Sequence, residues 1–508
     1  MKWRLIIFSF FVLLCYSCHK EYSCESCMPG ASGPPGPRGP QNPQAPLITS
    51  LNCASGNFSA TAVEATPYSA QYSISYAGGN GAAYKADTIA STGVTGLTAI
   101  LVAGTLTNGN GNLIWHISGT PATAGNAVFV ITIGGKSCTA TLQIDPTVIV
   151  LNGIIRIPIA VEKERNLVVL GSGKVKAWGN NQFGQIGDGT TTDRHTPVEV
   201  SVLTNIAAVA SGGYHSLALA NDGKVWAWGR NDHGQLGDGT LFENHAPKKI
   251  DGLSNIISIA AGFDYSLALK NDGTVWAWGA NMWGVVGDGT YTDKYHPVQV
   301  INLSGIIFIA AGTEHCLALK NDGTVWSWGW NAAGCLGDGS NVAKRSTPAP
   351  ITALSDIKAI AANGSLHSLV LKNDGTVWTW GDNFYGQLGD GTSIEKSIPQ
   401  QLASLTNITL IGTGERHSFA VKNDGSLWAW GWNGNGQLGV DYTLSFYEPN
   451  PVNVTLLPGV TRIAGGSFHS LVQKVDGNIY TMGSNVYGQL GDGTNVLNRY
   501  IPMVVVGL

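Results

Sequence analysis

At 508 residues the chain is too long for one ordinary domain, and its 67 Gly, 16 Trp and 12% charged residues suit a turn-rich all-β protein rather than a helical one. Typical soluble proteins carry roughly a quarter charged residues. The net charge of −4, without a basic run or an acidic tail, argues against nucleic-acid binding through phosphate neutralisation.

The first element, residues 1–18 (MKWRLIIFSFFVLLCYSC), has Lys2 and Arg4 ahead of an apolar run from Leu5 to Leu14 that is too short to span a bilayer comfortably. It resembles a bacterial lipoprotein signal with Cys18 as the lipidated residue, although Cys15 and Tyr16 stand where Leu and a small residue are usual. An ordinary cleaved secretory signal is the alternative. Either reading places the mature chain outside the cytoplasm, at a bacterial outer membrane or cell surface through the lipid, or secreted. Cys24 and Cys27 form a lone C-x-x-C without the further ligands that a zinc site needs. Residues 19–46 end in MPGASGPPGPRGPQNPQAP, a Pro/Gly-rich tether with too few Gly-X-Y triplets for a collagen trimer.

Residues 47–147 alternate apolar and polar positions in short segments such as "YSISYA" and "AVFVITIGG", broken by Gly/Asn clusters. The pattern predicts a small antiparallel β-sandwich, with the immunoglobulin type as one form, although Trp115 and the cysteine pair fall outside that domain's order. Export permits disulfides, and Cys53 and Cys138, near the two ends of the segment, are expected to pair. No catalytic or metal constellation is visible there.

From residue 148 to 508 the chain repeats itself. A strand-ending glycine recurs at Gly179, Gly229, Gly279, Gly329, Gly381, Gly431 and Gly483. Each unit reads as four strands, for example "IISIAAG", "YSLALK", "TVWAWG" and "HPVQVI", with an Asn-Asp-Gly turn and a "NMWGVVGDGT" loop between. A period near fifty residues implies a propeller or solenoid, and seven units suit a closed seven-bladed ring without exposed sheet edges. The W-x-W pairs (Trp276/Trp278 and equivalents) place two indoles on one strand face, toward a neighbouring blade. The pattern lapses to Lys176/Trp178 in the first unit and Tyr480/Met482 in the last, so different packing is expected where those units meet. The Asn-Asp-Gly words are expected to supply the positive-φ residues of tight hairpins.

The word "HSLAL–NDGTVWAWG–NxxGQLGDGT" resembles the repeat of the regulator of chromosome condensation family, a seven-bladed β-propeller. The resemblance implies two functional classes: guanine-nucleotide exchange, as in the namesake, and protein binding, as in a secreted bacterial β-lactamase-inhibitory relative. Export disfavours exchange, as does the lack of a sizeable insertion within a blade.

His215, His315, His367, His417 and His469 occupy one position of the repeat, with Tyr265 in the third unit. A catalytic His is needed once, beside different partners, so a copied His reads as structural. The serines that follow and the GDGT aspartates (Asp188, Asp238, Asp288, Asp338, Asp390 and Asp492) are repeated too, and no calcium-loop pattern accompanies the latter. No enzyme, metal or cofactor is expected. Cys316 and Cys335 fall in one unit, leaving a disulfide or two buried thiols as alternatives.

The loops between strands one and two and between three and four should open on one face. Their variable positions carry Phe183, His233, Met282, Trp283, Phe384, Tyr385 and Tyr487, and beside the His position Tyr214, Arg416 and Phe468. Aromatics dominate interface hot spots, so this set is the candidate binding surface. Its expected ligand is an unidentified protein, or a glycan using the same rim, with the propeller a monomer and the membrane engaged only through the lipid.

Overall fold

The computed structural model describes residues 45–58, 62–63, 68–121, 125–145, 150–151, 154–155, 158–440, 446–495 and 498–508. The signal, Cys18, Cys24, Cys27 and the tether up to residue 44 lie outside the described residues.

The first folded unit is a two-sheet sandwich. Strands Ser50–Phe58, Tyr68–Asn80, Asn108–Gly119, Leu97–Leu101 and Asp87–Ala90 form one sheet in that order. Ala62–Val63, Lys136–Asp145, Gly125–Ile133 and Thr92–Gly93 form the other. Alternation is visible along Tyr68–Asn80, where Tyr68, Ala70, Tyr72, Ile74 and Tyr76 turn inward. They share a core with the fully buried Trp115, Phe129 and Ile131. Cys53 and Cys138 are disulfide-bonded across the two sheets, with Cα atoms 5.8 Å apart. The bridge closes an 85-residue separation, which in the chain-entropy model stabilises by about 4–5 kcal/mol.

Seven further four-stranded sheets follow among the described residues, each built from four consecutive strands. Their inner strands are Ile159–Glu162, Ile206–Ser211, Ile256–Ala261, Ile306–Ala311, Ile357–Ala361, Ile408–Thr413 and Val460–Gly465, here numbered blades 1 to 7. The ring closes: Trp178 of blade 1 packs with Leu471, Ile479 and Val505 of blade 7. Among the described residues no blade borrows a strand from another; the closure is carried by side-chain packing together with main-chain bonds from blade 7 to blade 1, Gly493 N to His195 O (3.0 Å) and Ser467 N to Lys163 O (3.2 Å).

The W-x-W pairs explain the cohesion between blades. The second Trp of each pair is fully buried against the preceding blade; Trp278, for instance, sits among Leu217, Leu236 and Ile250. Its indole N–H donates to a carbonyl of that blade, as in Trp228 to Gln185 (2.9 Å) and Trp278 to Gln235 (2.9 Å). A buried aromatic removes on the order of 150–250 Å² from water. The first Trp is half-buried, and in blades 3, 5 and 6 a lysine covers it: Lys270 lies 4.0 Å from the Trp276 ring centre, Lys372 4.8 Å from that of Trp378 and Lys422 4.3 Å from that of Trp428. The closing seam departs from the other junctions, as expected: Asn166 of blade 1 stands in the serine's place against His469, and Lys176, in the first Trp's place, donates to Gly507 O. Trp178 keeps the usual bond there, donating to Gln489 O at 3.0 Å. A further departure lies one junction earlier, where Met482 replaces the second Trp between blades 6 and 7.

The Asn-Asp-Gly turns also differ from expectation. Only the glycine has positive φ, as in Gly273 at 79°. Asn271 and Asp272 stay in ordinary backbone, and Asp272 Oδ1 accepts from Thr274 N (2.9 Å) and Oγ1 (2.6 Å). This is a three-residue hairpin whose left-handed third position requires Gly.

Candidate binding face

Strand pairing fixes the geometry of the face. His215 pairs with Gly229, so the loop entering the second strand lies beside the loop leaving the third. Both variable loops therefore open on one side of the ring, as expected.

Each long loop is organised by its framing asparagine. Asn281 Oδ1 accepts from Val286 N (3.0 Å), and Nδ2 donates to Thr290 O (3.1 Å) and Thr292 O (3.1 Å). Asp288 Oδ1 accepts from Thr290 N (2.9 Å) and Oγ1 (2.7 Å), while Oδ2 pairs with Lys294 at 2.9 Å. Blades 1, 2, 4, 5 and 7 use their GDGT or GDGS Asp in the same way, so these aspartates build turns. The hydrogen bonds to Thr and Lys hold the Asp288 carboxyl below the usual carboxylate range, against the opposing effect of burial. Among the described residues no group of three or more His, Cys, Asp or Glu is placed to hold a metal.

The repeated histidines form a belt between blades. The His215, His315, His367 and His417 Nε2 atoms meet Ser266, Ser368, Ser418 and Ser470 Oγ of the next blade at 2.7–3.0 Å. Each of Ser266, Ser418 and Ser470 donates its own proton to a glutamine carbonyl, so the imidazole must be the Nε2–H donor. Burial pushes these histidines down to about 3, or about 4 for His315. They are neutral structural donors, not bases.

The departures from the motif keep the belt closed. In blade 3 Tyr265 Oη lies 2.7 Å from His315 O, and Cys316 Sγ donates to that hydroxyl at 3.4 Å. In blade 1 Arg165 reaches Gly212 O (2.7 Å), Gly213 O (2.9 Å) and His215 O. Asn166 faces His469 Nε2 with Oδ1 (3.0 Å) and donates from Nδ2 to Gln489 O (2.8 Å), dividing the work of a serine hydroxyl between two atoms. Cys316 and Cys335 are free buried thiols, which corrects the disulfide alternative. Cys316 is committed to Tyr265, and Cys335 Sγ faces Trp330 O at 3.1 Å.

The two variable positions of each N-x-x-G loop play different parts. The first is exposed in blades 1, 2, 3, 5 and 7, where Met282, Phe384 and Val486 are 58%, 70% and 54% accessible, and half-buried as Ala332 and Gly434 in blades 4 and 6. The second is half-buried beneath it, as Phe183, His233, Trp283, Tyr385 and Tyr487 are. The expected residues do not form one continuous patch. Phe183 meets Tyr214 edge-on at 5.2 Å under Arg230. Trp283 stacks on Trp330 at 4.8 Å. Tyr385 meets Phe384 and Trp432, and Arg416 lies over both Tyr385 (5.1 Å) and Phe468 (5.5 Å). His233 turns aside to Asp293, with Nδ1 2.9 Å from Oδ2. Trp330, Trp432, Phe263 and the exposed Phe446 join these clusters without having been expected. The "WGW" words at Trp330 and Trp432 were the available signal.

The mouth of the central tunnel was also missed. The tunnel, about 200 Å³, is walled by Ala160, Ala210 and their equivalents. Where most blades have Gly ahead of the His loop, blade 1 has Glu162 and blade 5 has Asn363, and these two close the mouth. Asn363 Nδ2 crosses to Val161 O (2.8 Å) and Gly465 O (3.1 Å). Glu162 lies over Gly364, where a Cβ would fall 1.9 Å from its Oε2. Burial pushes the Glu162 carboxyl up to about 7. Lys163 then reaches over to Glu415 at 3.0 Å.

With this geometry the chain is a closed β-propeller of repeated blades. It belongs to the RCC1-like domain family, whose model matches residues 134–409; the regulator of chromosome condensation repeat matches 424–473 and 476–508. The mouse E3 ubiquitin-protein ligase HERC2 is 31% identical over 167 residues, 32% of this chain and 3% of that protein. The human probable E3 ubiquitin-protein ligase HERC6 is 35% identical over 152 residues, 28% of this chain and 15% of that protein. The chain therefore spans only a small part of these curated relatives. Among solved structures, Prp20p of Saccharomyces cerevisiae is 26% identical with a TM-score of 0.60, covering 70% of this chain and 91% of its own. Human WBSCR16 is 22% identical with a TM-score of 0.60, covering 66% of this chain and 95% of its own, and shares the fold.

Proposed function

We propose that the protein is an exported, surface-anchored, non-enzymatic binding protein that docks a partner protein on the loop face of its propeller. The observation that carries this reading is the division of labour within each loop. The repeated polar residues are engaged in the frame, while Met282, Phe384 and Val486 stand exposed above it. Exposed apolar side chains on a rigid frame are characteristic of interaction surfaces. Prp20p, which is similar in structure, was described together with its binding properties to Gsp1p and histones, and this supports a protein-binding role. Export is supported by the N-terminal signal pattern ending at Cys18, and it agrees with the disulfide in the first domain.

The test replaces the exposed positions, since Trp283 and Tyr385 also pack the loops. Met282→Ser, Phe384→Ser and Val486→Ser together should reduce capture of the envelope partner by roughly tenfold or more, with melting unchanged. Undiminished capture by a folded triple variant would contradict the reading.

A further inference from the structure

The junction between blades 3 and 4 differs from its neighbours in a way that general docking does not explain. At the junction of blades 1 and 2, Arg230 lies over Phe183 and Tyr214, 5.5 and 5.9 Å from their ring centres. At the junction of blades 5 and 6, Arg416 caps Tyr385. In both places an aromatic cluster supplies its own guanidinium.

At the junction of blades 3 and 4 the aromatic wall is a pair of tryptophans, Trp283 and Trp330, stacked at 4.8 Å and 28°. The residue in the place of Arg416 is Glu314, whose main-chain carbonyl accepts from Trp330 N at 2.7 Å. No described residue donates a hydrogen bond to its carboxyl. Its neighbour is Asp264, 8% exposed, whose Oδ1 accepts from Gln235 (3.1 Å) and Arg230 (3.5 Å). Among the described residues, Oδ2 accepts nothing. Burial and the charge of Asp264 push the Glu314 carboxyl up to about 8, and no cation offsets them. A cation already lies near the wall: Lys344, held by Met282 O at 2.8 Å, is 5.6 Å from the Trp283 centre.

We infer that this junction receives an arginine side chain of the partner, packed against the Trp283–Trp330 pair and paired with Glu314 and Asp264. A planar guanidinium suits both surfaces, because it stacks on indoles and donates two parallel bonds to a carboxylate. The bound arginine takes the place that Arg416 and Arg230 fill from within at the other junctions.

The inference rests on the loop-face reading, but its test needs no natural partner. N-acetyl-arginine amide and its uncharged counterpart N-acetyl-citrulline amide are titrated into the full chain carrying 5-fluorotryptophan, following the Trp283 and Trp330 resonances. Arginine should shift both resonances saturably and citrulline should not. Glu314→Gln should weaken the arginine response roughly tenfold, with Trp330 still reporting, and Trp283→Ala should weaken it similarly. Equal responses to the two compounds, or an arginine response untouched by Glu314→Gln, overturn the inference. Capture experiments separate the two readings. If the exposed triple variant loses the partner while Glu314→Gln binds it at full strength, the docking face stands and the arginine site falls. If the triple variant keeps the partner while the titration behaves as expected, the arginine site stands without the wider face.

Discussion

Tyr265 and Cys316 show how a single side chain is fitted to its place in the ring. Each is a departure from the repeat, and each is readable in the sequence. That they answer one another is not readable, because they lie in different blades and only the folded ring brings the hydroxyl within 3.4 Å of the thiol. The blade-internal disulfide suggested by Cys316 and Cys335 failed for the same reason: proximity within one unit does not aim two side chains at each other. Restoring His in blade 3 alone would leave a buried Nε2–H facing sulfur, a weak acceptor. Tyr265→His should therefore cost about 1–3 kcal/mol. Adding Cys316→Ser rebuilds the pair present at four other junctions and should recover much of that cost. A double-mutant cycle from urea melts checks this; strictly additive effects would show that the two positions are uncoupled.

Among the elements, the strands and their order were legible because the fifty-residue period, the alternation and the Gly-bearing turns agree with one another. The face on which the variable loops emerge followed from strand direction alone. Exposure within a loop did not. Met282 and Trp283 are adjacent apolar residues, yet Met282 stands in solvent while Trp283 lies on Trp330. The distinction comes from the framing asparagine, whose three bonds fix the loop path over Asn281–Thr292. The tunnel mouth was hidden for a related reason. Glu162 and Asn363 replace glycines about two hundred positions apart, and only ring closure makes them neighbours; Asn363 and Val161 are 202 residues apart.

For the whole molecule, closure without strand exchange makes the seven-part belt a cooperative unit, and it gives stability a predictable dependence on pH. Five belt histidines are held neutral by burial, with folded values of about 3 to 4 against about 6.5 unfolded. Between those limits the unfolded chain binds more protons, so their contribution is complete above about pH 6.5 and is lost as pH falls toward 4. Glu162 and Glu314, raised to about 7 and 8, act oppositely: their contribution is complete below the ordinary carboxylate range and is lost as pH rises through 7 to 8. Five groups outweigh two, so the urea midpoint should peak near pH 6.5, fall steeply on the acid side and shallowly on the alkaline side. A midpoint flat from pH 4 to 7 would mean that the imidazoles are not buried as neutral donors.

The same closed ring confines variation to one side, and hydrogen–deuterium exchange on the complex with the captured partner tests that most directly. Protection should appear in the loops bearing Met282, Phe384 and Val486 and in those bearing Glu314 and Arg416, while the Asn-Asp-Gly turns exchange as in the free protein. Protection centred on the Asn-Asp-Gly turns, with the variable loops unchanged, would contradict the account.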